Sequence, residues 1–337
     1  MTAQSLFVVI IVILVAGFMF NQALSYLNFS WTGKMLPEIL SGIYDDKQYR
    51  QQQEYQRVNY RFGVITGLFS FLLIMTMLLT GGFAILDEWV RTVSDSPVWQ
   101  AILFFGILGL ASDFLSVPFD VYDTFVIEQK FGFNTSTVKI YILDKLKGWL
   151  LAGIIGGGLL ALIVWIYGKT GNMFWIYVWG VITFFTVFIN YFYTVLILPL
   201  FNKLTPLHEG ELRDAINAFA LKTGFGLKNI YTMDGSKRST KGNAYFSGFG
   251  KQKKIVLYDT LIAEQTTDEL VAVLAHEMGH YKHKHITKGL IISIIHTGVL
   301  LFIFSLIAGN PLLNEALGAG MPGFHLGLLT FGILYSP

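Results

Sequence analysis

His276-Glu277-Met278-Gly279-His280 sets two imidazoles four residues apart, with a carboxylate beside the first. On an α-helix, residues i and i+4 share one face about one turn apart, so both rings reach a single metal ion. The chain has no cysteine, which excludes disulfides and thiolate metal sites. Imidazole nitrogen in this pattern suits Zn2+. Zinc lowers the pKa of a bound water to about 7, and a carboxylate placed like Glu277 takes the proton. The chemistry is peptide hydrolysis, with His276 and His280 as metal ligands and Glu277 as the catalytic base. A catalytic zinc takes three protein ligands. His283 lies seven residues from His276, about 10 Å along a continuous helix, too far to share an ion whose bonds to nitrogen are about 2 Å. It is read as solvated or as a support to a ligand. His208, His296 and His325 lack ligand spacing and read as surface, interface or packed histidines.

The helix that carries this motif needs a start. Thr266-Thr267-Asp268-Glu269 has the form of a capping box and precedes Leu270, Val273 and Leu274 at helical spacing. Upstream, Glu211–Lys222 has helical periodicity and is stopped by Gly224-Phe225-Gly226. Asn229–Met233 reads as a strand and Asp234–Lys241 as a polar, basic loop. Asn243–Phe249 and Lys254–Tyr258 are rich in aromatic and β-branched residues and read as a hairpin turning at Gly250-Lys251-Gln252. Residues 201–288 therefore read as an α+β metallopeptidase insert.

The rest of the chain is built for a bilayer. Of 337 residues, 53% are hydrophobic and 14% charged, where soluble domains carry about 25% charged residues. Apolar stretches long enough to span occur at Ser5–Leu24, Phe62–Leu86, Val98–Val117, Trp149–Tyr167, Met173–Leu200 and Gly289–Leu306, and a seventh starts near Phe324. The first lacks the basic region and cleavage site of a signal peptide and reads as a retained span. Residues 1–200 thus form a five-span membrane domain, and 289–337 hold the sixth span and the start of the seventh. The connections 28–61 and 118–148 are rich in Lys and Arg, and the intervening ones are poor. That places them, and the insert, in the cytosol. A net charge of +2 gives no reason to expect a nucleic-acid partner.

Beyond HEMGH, the chain carries Thr124-Phe125-Val126-Ile127-Glu128 with Gly132-Phe133-Asn134, then Asp234-Gly235-Ser236-Lys237-Arg238-Ser239, Asn243-Ala244-Tyr245-Phe246, Ile255-Val256-Leu257-Tyr258-Asp259-Thr260 and His285. In this order, over nearly the whole chain, it resembles the integral-membrane zinc CAAX prenyl proteases (type I CAAX endopeptidases). The resemblance implies a multi-pass α-helical membrane protein, about seven spans around a water-filled chamber, with the zinc helix facing into it. It implies that substrate pairs along the 243–246 strand, which makes Asn243, Ala244 and Tyr245 the substrate-binding residues. The family's third zinc ligand is a glutamate on a later helix. On that reading the present chain is C-terminally shortened, its third ligand lies beyond Pro337, and the 337 residues alone hold zinc weakly. Glu315, on the opposite side of the membrane from His276, is not expected to replace it.

The implied function is zinc-dependent endoproteolysis: C-terminal CAAX processing of prenylated proteins, or cleavage of membrane-associated peptides. The membrane would be the endoplasmic reticulum in a eukaryote and the inner membrane in a bacterium. The alternative is a non-enzymatic channel, transporter or chaperone using the same chamber, for which Asp113 within the third span speaks. An acid facing a hydrated chamber accounts for Asp113 equally well.

Overall fold

The computed structural model describes all residues except 1, 37, 39–41, 43, 44, 224–228, 248–253, 336 and 337. The helix stop at Gly224-Phe225-Gly226 and the hairpin turn at Gly250-Lys251-Gln252 lie outside the described residues. The described elements run α1 (Ala3–Ser30), α2 (Asp46–Leu79), α3 (Gly82–Val93), α4 (Pro97–Tyr122), α5 (Val138–Leu151), α6 (Gly157–Thr170), α7 (Phe174–Leu196) and α8 (Leu198–Phe201). Then come β1 (Leu204–Pro206), α9 (Glu211–Lys222), β2 (Ile230–Met233), β3 (Ala244–Ser247), β4 (Lys254–Tyr258), α10 (Asp259–Glu264), α11 (Thr267–Lys282), α12 (His285–Ile307), α13 (Leu312–Glu315) and α14 (Phe324–Tyr335).

Among the described residues, five helical runs are long and apolar enough to cross a membrane, and the shorter α14 is also apolar. One run, Val138–Phe201, covers 64 residues. It holds the turn expected near Gly168–Asn172, where Gly171 at φ +52 ends α6 before the short 3-10 segment Gly171–Met173. Two expected spans therefore share this run. The second span differs from expectation. It ends at Leu79 rather than Leu86, because Gly81 takes a left-handed φ of +69 and α3 starts afresh at Gly82. The apolar residues Phe83 and Ala84 belong to that amphipathic helix, not to the span.

The chain divides into two compact units. The first comprises 1–131, 153–175 and 302–337. Its core joins Leu6 and Ile10 of α1, Phe83 and Val90 of α3, Phe104 of α4, and Leu326 and Ile333 of α14. A polar link is set within it. Buried His325 places Nε2 2.7 Å from Oδ1 of buried Asp87, and Arg91 donates through Nε to Oδ2 at 2.8 Å. Burial alone would raise the Asp87 pKa, but the hydrogen bonds from His325 and Arg91 outweigh it and hold the carboxylate below its usual range. So His325 is a packed histidine.

The second unit comprises 132–152 and 176–301. Its four-stranded sheet has the order β1-β2-β4-β3. β1 pairs antiparallel with β2, β2 parallel with β4, and β4 antiparallel with β3. Ala244 faces Leu257 and Phe246 faces Ile255 across the expected hairpin. Ile216 and Ala220 of α9, Ile255 and Leu257 of β4, and Leu274 and Met278 of α11 form its core. The 234–239 segment ties this unit together. Arg238 makes a bidentate pair with Asp144 of α5 at 2.7 and 3.0 Å, and Asp234 accepts from the Lys203 backbone N–H at 2.7 Å. Between α7 and α12, Trp179 Nε1 donates to the Ile294 carbonyl at 2.8 Å. A Cβ at Gly298 would sit 2.9 Å from that indole nitrogen, so the close approach depends on glycine there.

Candidate metal centre and peptide edge

The two faces of α11 have opposite work. The capping box forms as expected: Thr266 Oγ1 accepts from the Glu269 N–H at 3.4 Å, and Glu269 Oε2 accepts from the Thr266 N–H at 2.8 Å. Leu270, Leu274 and Met278, each four residues on, are buried and anchor the helix. His276 and His280 stand exposed on the other side, with Glu277 half-buried beside them. Their Nε2 atoms approach to 3.0 Å. Two nitrogens bound to one zinc at tetrahedral geometry lie about 3.3 Å apart. The pair therefore fits the two-imidazole part of a zinc site. Among the described residues, no group of three His, Cys, Asp or Glu side chains is placed to hold a metal ion. His283 is exposed at the C-cap of α11.

His285, noted in the sequence only as part of a familial pattern, has a specific place. Lys284 adopts φ +56, a left-handed conformation uncommon for a side-chain-bearing residue. The chain turns there, α12 starts at His285, and His285 Nδ1 comes 2.8 Å from His280 Nδ1. A ligand bound through Nε2 carries its proton on Nδ1 and donates it to a neighbour that fixes the ring plane. With the proton on His280 Nδ1, as Nε2 ligation would require, His285 Nδ1 is the acceptor. No glycine or asparagine marks the turn, so spacing arguments on a continuous helix miss it. His285→Ala is expected to weaken zinc binding 10- to 100-fold, while His283→Ala changes it little. Competition with a chromogenic chelator reads both, and equal affinities for the two variants would remove the positioning role.

Next to α11 runs the sheet edge. Among the described residues, the strand order leaves β3 with one neighbour, β4. Tyr258 N–H donates to the Asn243 carbonyl at 3.0 Å, which fixes the alternation of the antiparallel ladder. The backbone groups of Ala244 and Phe246 then point away from β4. The Asn243 side chain is already engaged there: its Oδ1 accepts from the Ala244 N–H at 2.8 Å. Ala244 itself is buried, and the Phe246 ring lies 6.1 Å from that of Tyr281, the residue after His280. The Tyr245 ring packs near Met233, Val256 and Tyr258, and burial pushes its phenol pKa up.

Residues 25–203 match the family model described as "CAAX prenyl protease N-terminal, five membrane helices", and residues 206–333 match "Peptidase family M48". CAAX prenyl protease 1 of Saccharomyces cerevisiae is 35% identical over 318 residues, covering 90% of this chain and 70% of that protein. The CAAX prenyl protease 1 homolog of Arabidopsis thaliana is 34% identical over 312 residues, covering 88% and 72%. The crystal structure of S. mikatae Ste24p is similar with a TM-score of 0.90 at 32% identity, covering 98% of this chain and 82% of that one. With its membrane helices and its α+β insert, this multi-pass metalloendopeptidase belongs to the CAAX prenyl protease group of peptidase family M48.

Proposed function

We propose that the chain is a zinc endopeptidase that cleaves a peptide extended along the edge of β3, using His276 and His280 as zinc ligands and Glu277 as the base. The observation that carries this is the convergence of the two Nε2 atoms at 3.0 Å beside an edge strand. A third protein donor is required. When bound, zinc supplies Lewis-acid polarisation of the scissile carbonyl and of water. The remaining work falls to residues of this chain. Glu277 accepts a proton from the attacking water and returns it to the departing amine. The outward backbone groups of Ala244 and Phe246 bind substrate main chain, which selects an extended peptide without demanding a sequence. The Asn243 carboxamide releases the Ala244 N–H and turns to the substrate backbone. Tyr245 holds the strand in place from the opposite face of the sheet.

The substrates we propose are prenylated proteins with a CAAX C-terminus, cleaved at the bilayer surface. The insert faces the cytosol, on the side of the basic connections 28–61 and 118–148, in the endoplasmic reticulum or a bacterial inner membrane. Nothing in the geometry favours a channel or transporter, and half-buried Asp113 is not without an interaction of its own. The test is cleavage of a farnesylated CAAX peptide and its unprenylated twin by the full protein in lipid. Faster release of the tripeptide from the farnesylated form is expected. Equal rates would remove the prenyl preference, and no cleavage of either would remove the substrate class.

A further inference from the structure

We propose that the basic face at the start of α2, together with residues 33–36 after α1, forms a second binding site, for the phosphate of an anionic phospholipid headgroup. A cavity of about 910 Å3 lies there, lined by Lys34, Arg50, Arg57 and Arg61 among others. The three arginines are spaced seven and four residues apart on α2, which sets them on one helix face. They spread over about 16 Å of helix axis. Acids are present too: Glu38, Asp46 and Glu54 share the lining. Glu54 is paired with Lys130 at 2.7 Å. Counting both members of that pair, five cations face three carboxylates among the described lining residues, a positive excess.

Its position says which anion. The apolar stretch of α2 begins at Phe62, immediately after Arg61, and α1 ends at Ser30 on the opposite wall. Both walls thus reach the level where hydrocarbon gives way to headgroups. Trp31 is exposed at that level, and the Lys34 ammonium sits 3.2 Å over its ring. An exposed tryptophan beside a cation is the usual anchor of a membrane interface. Gly33, at φ +84, brings the main chain up to Arg57, where a Cβ would meet the guanidinium at 3.3 Å. Gly33 N–H also donates to Gln53 Oε1 at 2.7 Å, which closes the wall against α2. Guanidinium forks match phosphate oxygens in pairs, and basic clusters at the bilayer surface attract anionic lipids. An acidic peptide would meet the same charge, but the headgroup level favours a lipid already held there. This site uses none of the residues assigned to peptide hydrolysis.

The test uses the full protein in phosphatidylcholine nanodiscs, with spin-labelled phosphatidylglycerol and spin-labelled phosphatidylcholine as probes. The parent protein is expected to hold phosphatidylglycerol selectively. Arg57→Gln with Arg61→Gln should weaken that selectivity roughly thirtyfold. Undiminished selectivity in that variant would overturn the proposal. So would displacement of the lipid by equimolar glycerol phosphate, which would make it a soluble-anion site, or by a glutamate-rich peptide, which would make it a protein-docking site. If the glutamine variant does not fold, Arg57→Lys with Arg61→Lys decides. It keeps the charge and loses the fork, so a several-fold loss supports the proposal and parent-like selectivity sinks it.

Discussion

Glu277→Gln is expected to lower peptide hydrolysis by about a thousandfold while leaving zinc content unchanged, in the range that general bases contribute. The amide is nearly isosteric with the carboxylate, and Glu277 sits half-buried on α11 with no role in the buried Leu270-Leu274-Met278 face. The helix and its imidazoles should therefore be untouched. What is lost is the ability to take a proton, since an amide cannot. Steady-state cleavage of a peptide by the full, zinc-loaded protein gives the rate, and elemental analysis gives the metal. Hydrolysis within a few-fold of the parent would end the assignment of Glu277 as base. The same variant separates the enzymatic reading from a transporter, which has no need of that carboxylate.

His276→Ala and His280→Ala should each strip the protein of zinc and of activity together. Apparent binding energies of structural zinc sites run to about 10–16 kcal/mol over four ligands, so loss of one imidazole weakens binding by roughly two orders of magnitude or more. Both histidines are exposed, and alanine is the best helix former, so α11 should persist. Circular dichroism checks the helix, and zinc retained after dialysis against a chelator checks the site. Stoichiometric zinc in either variant would show that the metal is held elsewhere. The contrast with Glu277→Gln is diagnostic: the base variant keeps metal and loses turnover, whereas the ligand variants lose both.

The parts of the site that were legible in the sequence are those whose physics is local. A capping box needs four residues, and HEMGH needs five, so both α11 and its imidazole pair could be read directly. β2, β3 and β4 followed from aromatic and β-branched residues in short runs, whereas the three-residue β1 was not read. The span boundary near Leu79 was overrun because apolar residues continue into α3, and hydropathy does not register the reversal at Gly81. The hairpin of β3 with β4 was read, but the parallel pairing of β2 with β4 was not legible, because it is long-range; the edge status of β3 was implied by resemblance alone. The link of Asp87 to His325 joins residues 238 apart, and neither has a local signal of the other. His285 was hidden by a single unfavourable dihedral at Lys284, a conformation that sequence propensity argues against.

That dihedral has a mechanical consequence. His285 is the first residue of the 23-residue α12, whose apolar stretch 289–306 is about 27 Å long and so exceeds a bilayer thinned below that. A helix that exceeds its bilayer answers a change in thickness by tilting. Trp179, bonded to the Ile294 carbonyl about two and a half turns along, gives α12 a fulcrum. Tilting about that point displaces the first residue, which is the one that sets the ring plane of His280. On the proposed reading of His280 as a zinc ligand, hydrophobic mismatch would be geared to ligand orientation, and acyl-chain length would be a variable of the catalytic centre as well as of its anchorage.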